Sequence, residues 1–378
     1  MSKTVLTMTM FDKIKGQEQA INILKRSIKE RKIASSYLFH GPEGVGKFTT
    51  ALYFAMAVNC LAESEEERPC GQCISCYKTS QLNHPDLFYV FPAQNFKMTS
   101  RGEIEDNKLL AEYEKFISNK RDTPWKEFFF GGNIEIRIDS IRLLMSRINL
   151  SAVEGRYKVF IIENADMMNI STANAFLKTL EEPPKDTIII LTSARPESML
   201  QTIHSRCQKI SFYKLSRQII EEELTEERGV DQIVARMVAR IADGNMEKAI
   251  SMAEEQDNDS REQALKFMQF ALNRDDLGFI SFIDYYRSSK TQSELKEIIQ
   301  NLIIWVSDLL FSQESPDDVV NVDKLQFLDS VAQKIPALDI QLNNFILFLE
   351  TMLKKLEGNV NPHLISIEIY FKLVRLFK

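Results

Sequence analysis

A glycine-rich turn that ends in a lysine is the feature that most restricts how this chain can fold. Gly41, Gly44, Gly46 and Lys47 belong to the segment GPEGVGK, which follows a short apolar run at Tyr37–His40 and opens a helical pattern. Glycines let backbone N–H groups converge on an anion, the helix start adds positive potential, and the lysine neutralises phosphate. The pattern predicts a phosphate-binding loop (P-loop) between strand and helix; the alternative is a tight turn without a ligand.

Further strand-length runs follow in the first half of the chain and alternate with helical patterns. The runs are Asp86–Phe91, Lys158–Ile162, Thr187–Leu191 and Gln208–Phe212. The helical patterns are Gln17–Arg31, Thr49–Cys60, Ile138–Leu150 and Ser171–Glu182. Such alternation predicts a parallel sheet covered by helices on both faces.

The second half has a different pattern. After about Leu215 we find no convincing strand, and the low totals of 13 glycines and 11 prolines favour long helices. The polar stretch 93–135, with an amphipathic piece near Leu109–Phe116, indicates an insertion in the α/β half. The helical patterns of the second half are Arg217–Arg228, Val230–Asp243, Met246–Asn258, Ser260–Arg274, Phe279–Ser289, Gln292–Gln313, Asn321–Ile335, Ile340–Leu356 and Pro362–Phe377.

Length and composition agree with an ordinary globular protein. A chain of 378 residues suggests two or three domains, with 44% hydrophobic and 26% charged residues. The net charge of −6 argues against a globally basic nucleic-acid binder. No run of 18 apolar residues and no hydrophobic leader occurs, so we expect a cytoplasmic protein, with Met10 as an alternative start to Met1.

Two positions depart from the pattern of a working P-loop ATPase. Ser or Thr directly after the P-loop lysine holds Mg²⁺, but Phe48 stands there and Thr49 points about 100° further round the helix. The run 158–162 leads into Glu163 and Asn164, where an Asp–Glu pair would assist Mg²⁺ and activate water. Asn cannot act as a general base. We therefore expect impaired binding of ATP and Mg²⁺ and no hydrolysis, unless another carboxylate substitutes.

Four of the five cysteines lie close together in the sequence. Cys60, Cys70, Cys73 and Cys76 include two Cys-x2-Cys steps that share Cys73. In a reducing compartment such spacing predicts a tetrahedral metal site with four cysteine ligands, and thiolate ligands select Zn²⁺. The expected role is structural; an iron–sulfur cluster or free thiols are the alternatives. His84 is interpreted as a loop residue rather than as a ligand.

Arg206 lies in the triplet Ser205–Cys207, directly before the last strand-like run. From spacing alone, a surface salt bridge is the favoured interpretation of this arginine. The alternative is an arginine finger that reaches the γ-phosphate of a neighbouring subunit.

Together these segments resemble one family. They occur in the order that is typical of the bacterial AAA+ clamp-loader proteins of DNA polymerase III, over roughly residues 11–215. The segments that carry the resemblance are GPEGVGK at 41–47, the four-cysteine insert at 60–76, HPDLF at 84–88, NAFLKTLEEPP at 174–184 and TIHSRCQ at 202–208.

The family has an ATP-hydrolysing gamma/tau branch and a delta prime branch that lacks competent hydrolysis. Phe48 and Asn164 depart from the motor pattern, and Glu247 stands where gamma/tau-type subunits carry a nucleotide-sensing arginine. The chain therefore resembles the delta prime branch, with the gamma/tau type as the alternative. The resemblance implies that Arg206 acts as a finger in trans, and it places the first sensor position at Thr192 or Ser193.

The resemblance also implies an organisation and partners. We expect an AAA+ P-loop domain at 11–215, a helical lid at 216–253 and a helical collar domain for oligomerisation at 254–378. Implied partners are gamma/tau-type and delta-type subunits in a hetero-pentamer, the sliding clamp, and primer-template DNA through the complex. The implied role is to help to load the sliding clamp onto primed DNA.

Overall fold

A computed structural model describes most of the chain, and its contacts divide the chain into two compact units. Unit 1 comprises 1–220 and 243–248, and unit 2 comprises 221–242 and 249–378. The residues that the structure describes are 9–94, 104, 106–128, 130, 134–230, 232–255, 258–287, 292–316, 319–335, 338–357 and 360–377. Met1 and most of the 95–105 part of the insertion therefore lie outside the described residues.

Unit 1 is built on a parallel sheet of five strands, in the order β2-β3-β4-β1-β5. β1 pairs with β4 and β5, while β3 pairs with β2 and β4. The strands are β1 Ser36–His40, β2 Leu87–Val90, β3 Lys158–Ile162, β4 Thr187–Ser193 and β5 Gln208–Ser211. This arrangement confirms the predicted α/β class with a parallel sheet.

Both faces of the sheet are buried, and this explains why its central strands are continuously apolar. Alternate residues point to opposite sides: Phe39 and Ile161 join a core with α1 and α2, while Leu38 and Phe160 join a core with α5 and α6. The helices of unit 1 are α1 Glu18–Lys29, α2 Lys47–Val58, α3 Ile74–Ser80, α4 Asn107–Asp122, α5 Ile138–Ile148, α6 Ile170–Glu181 and α7 Gln201–His204, followed by α8 Arg217–Glu222 at the boundary of the units.

β2 is shorter than the run Asp86–Phe91 that we predicted as a strand. The Asp86 carboxylate accepts backbone N–H groups from Val153, Glu154 and Gly155 at 2.7–2.8 Å, so it anchors a loop instead of extending the strand. The side chain is 1% exposed. Asp86, which the sequence pattern placed at the start of a strand, therefore anchors the loop that precedes β3.

Unit 2 is helical throughout the part of it that the structure describes. Its central helix, which carries the fully buried Trp305, packs against four neighbouring helices among the described residues. No described helix of the chain is both long and apolar enough to cross a bilayer. The helices after α8 are α9 Gln232–Ile241, α10 Met246–Glu255, α11 Asn258–Asn273, α12 Asp276–Ile283, α13 Gln292–Glu314, α14 Leu325–Ala332, α15 Leu338–Glu357 and α16 Pro362–Leu376.

α12 begins earlier than the predicted start at Phe279. Asp275 caps it, because its carboxylate accepts the backbone N–H of Gly278 at 2.9 Å. Gly278 lies in the first turn of α12 and has a low helix propensity, so the sequence pattern did not predict this start.

Candidate functional site

A solvent-open cleft of about 420 Å³ lies in unit 1, beside the P-loop and at the carboxyl ends of β3 and β4. Its lining comes from the P-loop and the first turn of α2, from the end of α4 and the segment after it, from the residues after β3, and from Glu247. Ligands of parallel α/β sheets bind at this edge, because strand ends and helix starts meet there.

The P-loop has backbone conformations that require glycine. Gly44 and Gly46 have φ values of +65° and +90°, and Gly46 caps the start of α2. A Cβ atom on Gly41 would lie 2.2 Å from the carbonyl oxygen of Phe212. The three glycines of the predicted P-loop therefore permit a turn that places Lys47 at the beginning of α2.

Lys47 is buried, and its ammonium group donates to the carbonyl oxygen of Gly41 at 2.8 Å and to that of Pro42. Burial lowers the pKa of Lys47 to about 8, an effect that nearby carboxylates such as Glu43 oppose. The P-loop lysine thus lines the cleft, but its described hydrogen bonds go to its own loop.

The two residues after Lys47 lie as the helical spacing predicts. The Phe48 ring is 6% exposed and lies 5.0 Å from the ring of Tyr89, in the core beside the cleft. Thr49 lines the cleft, and its buried hydroxyl has no hydrogen-bond partner in the structure. An apolar ring therefore occupies the position at which a P-loop ATPase holds its metal with a hydroxyl group.

Glu163, directly after β3, is almost completely paired. One carboxylate oxygen lies 2.8 Å from the ammonium group of Lys120, and the other accepts the hydroxyl proton of Tyr89. Glu163 is 9% exposed and Lys120 only 1%. An ion pair in this environment is held firmly, because removal of either partner leaves a buried charge alone.

Asn164 follows in a left-handed conformation with φ of +50°. Its side-chain amide donates to the Glu127 carboxylate, and its backbone N–H donates to the Thr192 hydroxyl at 3.1 Å. Of the two sensor positions, Thr192 lines the cleft, while the Ser193 hydroxyl accepts the backbone N–H of Arg195. The amide of Asn164 can orient groups here but cannot take a proton from water.

Glu247 also reaches the cleft, through a contact between its segment and the P-loop. The backbone N–H of Met246 donates to the carbonyl oxygen of Gly44 at 2.9 Å. The Glu247 carboxylate accepts the backbone N–H of Glu127. Burial raises the pKa of Glu247 to about 7 and also raises that of Glu127. The position expected for a sensing arginine therefore presents a half-buried carboxyl group.

Arg206 lies outside the lining of this cleft, on the short loop after α7. Its guanidinium group donates to Glu181, at the end of α6, and to the carbonyl oxygen of Thr202. The side chain is 30% exposed. The sequence-based expectation of a salt bridge is thus met in the isolated chain.

The four clustered cysteines come together in space. Their sulfur atoms all lie within 4.8 Å of one another, with Cys60 3.5 Å from Cys70 and Cys70 4.0 Å from Cys76. A tetrahedral zinc with Zn–S bonds near 2.3 Å requires sulfur separations of about 3.8 Å. The donor set and its spacing therefore fit a metal ion of this type. His84 hydrogen-bonds Ser75 instead of joining the cluster.

Sequence reasoning missed Lys120 and Glu127 as residues of the cleft, and it missed Tyr89 as a partner of Glu163. A signal for Lys120 existed, because Leu109, Phe116 and Lys120 follow helical spacing within α4. Phe116 and Lys120 are both buried. A lysine on the apolar face of a helix requires a buried partner, but the partner itself could not be found from spacing.

A family model and a curated relative both match this chain to DNA polymerase III subunits. The family model described as DNA polymerase III, delta subunit, matches residues 16–216. The DNA polymerase III subunit delta' of Bacillus subtilis is 28% identical over 353 residues, which cover 91% of this chain and 92% of that protein. This similarity thus extends through both units.

Other relatives match over a shorter part or more remotely. The subunit tau of the same organism is 30% identical over 250 residues, which cover 65% of this chain but 37% of that protein. A gamma subunit-related protein of Thermotoga maritima, of known structure, is 15% identical with a TM-score of 0.41, covering 95% of this chain and all of the other.

Proposed function

This chain belongs to the DNA polymerase III delta subunit family, and we propose that it is a delta prime-type subunit of the clamp loader. In this role it helps to load the sliding clamp onto primed DNA without hydrolysing ATP itself. The observation that carries the proposal is the similarity to a delta' subunit over 91% of this chain and 92% of the relative. The similarity to tau is confined to 37% of that protein.

The chemistry of the cleft supports the absence of hydrolysis. Phe48 offers no oxygen to Mg²⁺, and both oxygens of Glu163 already have partners. Asn164 cannot accept a proton from water, and Glu247 presents a carboxyl group where a cation would bind phosphate. We propose that Gly41, Gly44, Gly46, Lys47 and Thr49 form a degenerate P-loop. The first sensor position falls at Ser193 or at Thr192, of which Thr192 lines the cleft.

An ATPase assay on the isolated chain tests this proposal. We expect no phosphate release above background, and no difference between the wild type and Lys47→Ala. Turnover that Lys47→Ala abolishes would instead identify a gamma/tau-type motor subunit.

We propose that Cys60, Cys70, Cys73 and Cys76 hold a structural Zn²⁺. All four ligand positions come from the protein, so the ion would cross-link the segment around α3 without an open position for substrate. Backbone N–H groups of Leu61, Ala62, Cys73 and Cys76 point at cysteine sulfurs at 3.4–3.5 Å, an arrangement that stabilises thiolates.

The remaining parts of the proposal concern assembly. The chain would act in the cytoplasm in a hetero-pentamer with gamma/tau-type and delta-type subunits, which together engage the sliding clamp and primer-template DNA. Residues 216–253 would form the lid and 254–378 the collar that oligomerises. Arg206 would serve as an arginine finger for ATP bound to the adjacent motor subunit.

Co-expression tests the assembly. A tagged copy of the full chain should retain gamma/tau-type and delta-type subunits through size-exclusion chromatography. A complex that forms equally well without this chain would contradict the proposal.

A further inference from the structure

Lys120 brings a buried positive charge from the insertion into the P-loop cleft. Its ammonium nitrogen lies 2.8 Å from a carboxylate oxygen of Glu163, 2.9 Å from the carbonyl oxygen of Lys126 and 4.2 Å from the ring centroid of Phe48. These three neighbours account for the three N–H donors of an ammonium group. The charge is therefore fixed in place.

Two of these neighbours stand at the positions that bind metal in a working P-loop site. Phe48 directly follows the P-loop lysine, and Glu163 directly follows β3. In P-loop ATPases, Mg²⁺ is held by the hydroxyl group and the carboxylate at these two positions. The Lys120 ammonium group thus contacts both residues between which a divalent ion would be expected.

The packing around Lys120 keeps it there. On the same helix, Phe116 stacks on Phe91 with ring centroids 4.2 Å apart. Tyr89 connects this aromatic packing to the ion pair, since its ring contacts Phe48 and its hydroxyl group donates to Glu163. α4 is therefore anchored by aromatic contacts on the same side of the sheet as the ion pair.

We propose that Lys120 is a built-in cation that takes the place of a divalent metal ion and closes this side of the cleft to Mg²⁺-bound triphosphate. The inference rests on the proposed function as a degenerate ATPase, and it adds the residue that determines what the cleft accepts. With Lys120 committed to Glu163, the other charged groups among the described lining residues are Lys47 and the three carboxyl groups of Glu43, Glu127 and Glu247. This balance disfavours a triphosphate.

Thermal unfolding with and without divalent ions tests the inference. Lys120→Ala should lower the Tm by about 5 °C or more, because Glu163 loses its buried partner. MgCl₂ or MnCl₂ at about 10 mM should then raise the Tm of this variant relative to NaCl of equal ionic strength, while the wild type stays unchanged. Lys115→Ala, at an exposed position of the same helix, is the matched control and should resemble the wild type.

A second pair of variants keeps the test decisive if Lys120→Ala fails to fold. Lys120→Met retains the apolar stem but leaves Glu163 unpaired, whereas Lys120→Met with Glu163→Gln removes both charges and should recover most of the lost Tm. The inference would be overturned if Lys120→Met were no less stable than Lys115→Ala. It would also be overturned if divalent ions raised the Tm of the wild type as much as that of Lys120→Ala. ATP turnover by the wild-type chain would instead remove the proposed function, so the two failures are distinguishable.

Discussion

The guanidinium group of Arg206 lies 2.5 Å from a carboxylate oxygen of Glu181, and this contact joins the loop after α7 to the end of α6. Side-chain exposures of 30% and 47% mean that solvent screens the pair, so it orients Arg206 more than it stabilises the fold. An oriented and partly exposed guanidinium group is what an arginine finger requires of the subunit that donates it.

Replacement of Arg206 by alanine should depress ATP hydrolysis by the reconstituted clamp-loader complex. An arginine finger accelerates phosphoryl transfer by roughly 10³-fold or more at the site that it serves, because it stabilises charge in the transition state. Steady-state phosphate release measures the effect. Arg195→Ala is the control, since Arg195 is also ion-paired, with Asp166, but is 62% exposed. Activity equal to that of the control would remove the finger hypothesis.

Replacement of Cys73 by serine should release the metal and destabilise unit 1. A structural metal contributes its binding energy to folding, so a loss of about 2 kcal/mol or more should lower the Tm by at least about 4 °C. Metal analysis and thermal unfolding measure the two effects. Cys207→Ser removes a buried thiol outside the cluster and should leave the metal content unchanged. A Cys73→Ser protein with one equivalent of zinc would contradict the four-cysteine site.

Glu247 should make the stability of the chain depend on pH. Its pKa rises from the ordinary value of 4.5 to about 7 on burial, so the folded state binds this proton more tightly than the unfolded chain does. The resulting stabilisation is complete below pH 4.5 and is lost as the pH rises through 7. Glu247→Gln should therefore be more stable than the wild type at pH 8, by roughly 2 kcal/mol.

Urea unfolding at pH 5 and pH 8 measures this difference. Glu43→Gln is the control, because Glu43 lines the same cleft at an exposed position. An equal pH dependence in Glu247→Gln and the wild type would show that the environment of this carboxyl group does not raise its pKa.

Replacement of Asp86 by alanine should destabilise unit 1 by about 3 kcal/mol. Three backbone N–H groups would lose the buried, charged acceptor that holds their loop, and hydrogen bonds to charged groups contribute more to stability than those between neutral groups. Chemical denaturation measures the loss. Asp139→Ala, at a site where the side chain is 70% exposed, should change stability by less than about 0.5 kcal/mol. Equal effects of the two substitutions would contradict the anchoring role.

Local patterns in the sequence predicted most elements of the fold. β3 begins and ends as its apolar run predicted, because a strand buried on both faces carries its own signal. The bounds of β2 and α12 were predicted less accurately. The Asp86 carboxylate bonds to a distant loop, and the Asp275 cap starts α12 despite the low helix propensity of Gly278. Such contacts are made by side chains, and hydrophobic periodicity does not report them.

For the site, the sequence alone determined which groups are present and which are missing: a P-loop that ends in Lys47, a phenylalanine in place of a hydroxyl, an asparagine in place of a base, and four cysteines at metal-binding spacing. These follow from residue type within short segments. Only the tertiary structure decided that Lys120 pairs with Glu163, across 43 positions of the chain. A buried charge must find its partner through space, and the packing of α4 within unit 1 selects that partner.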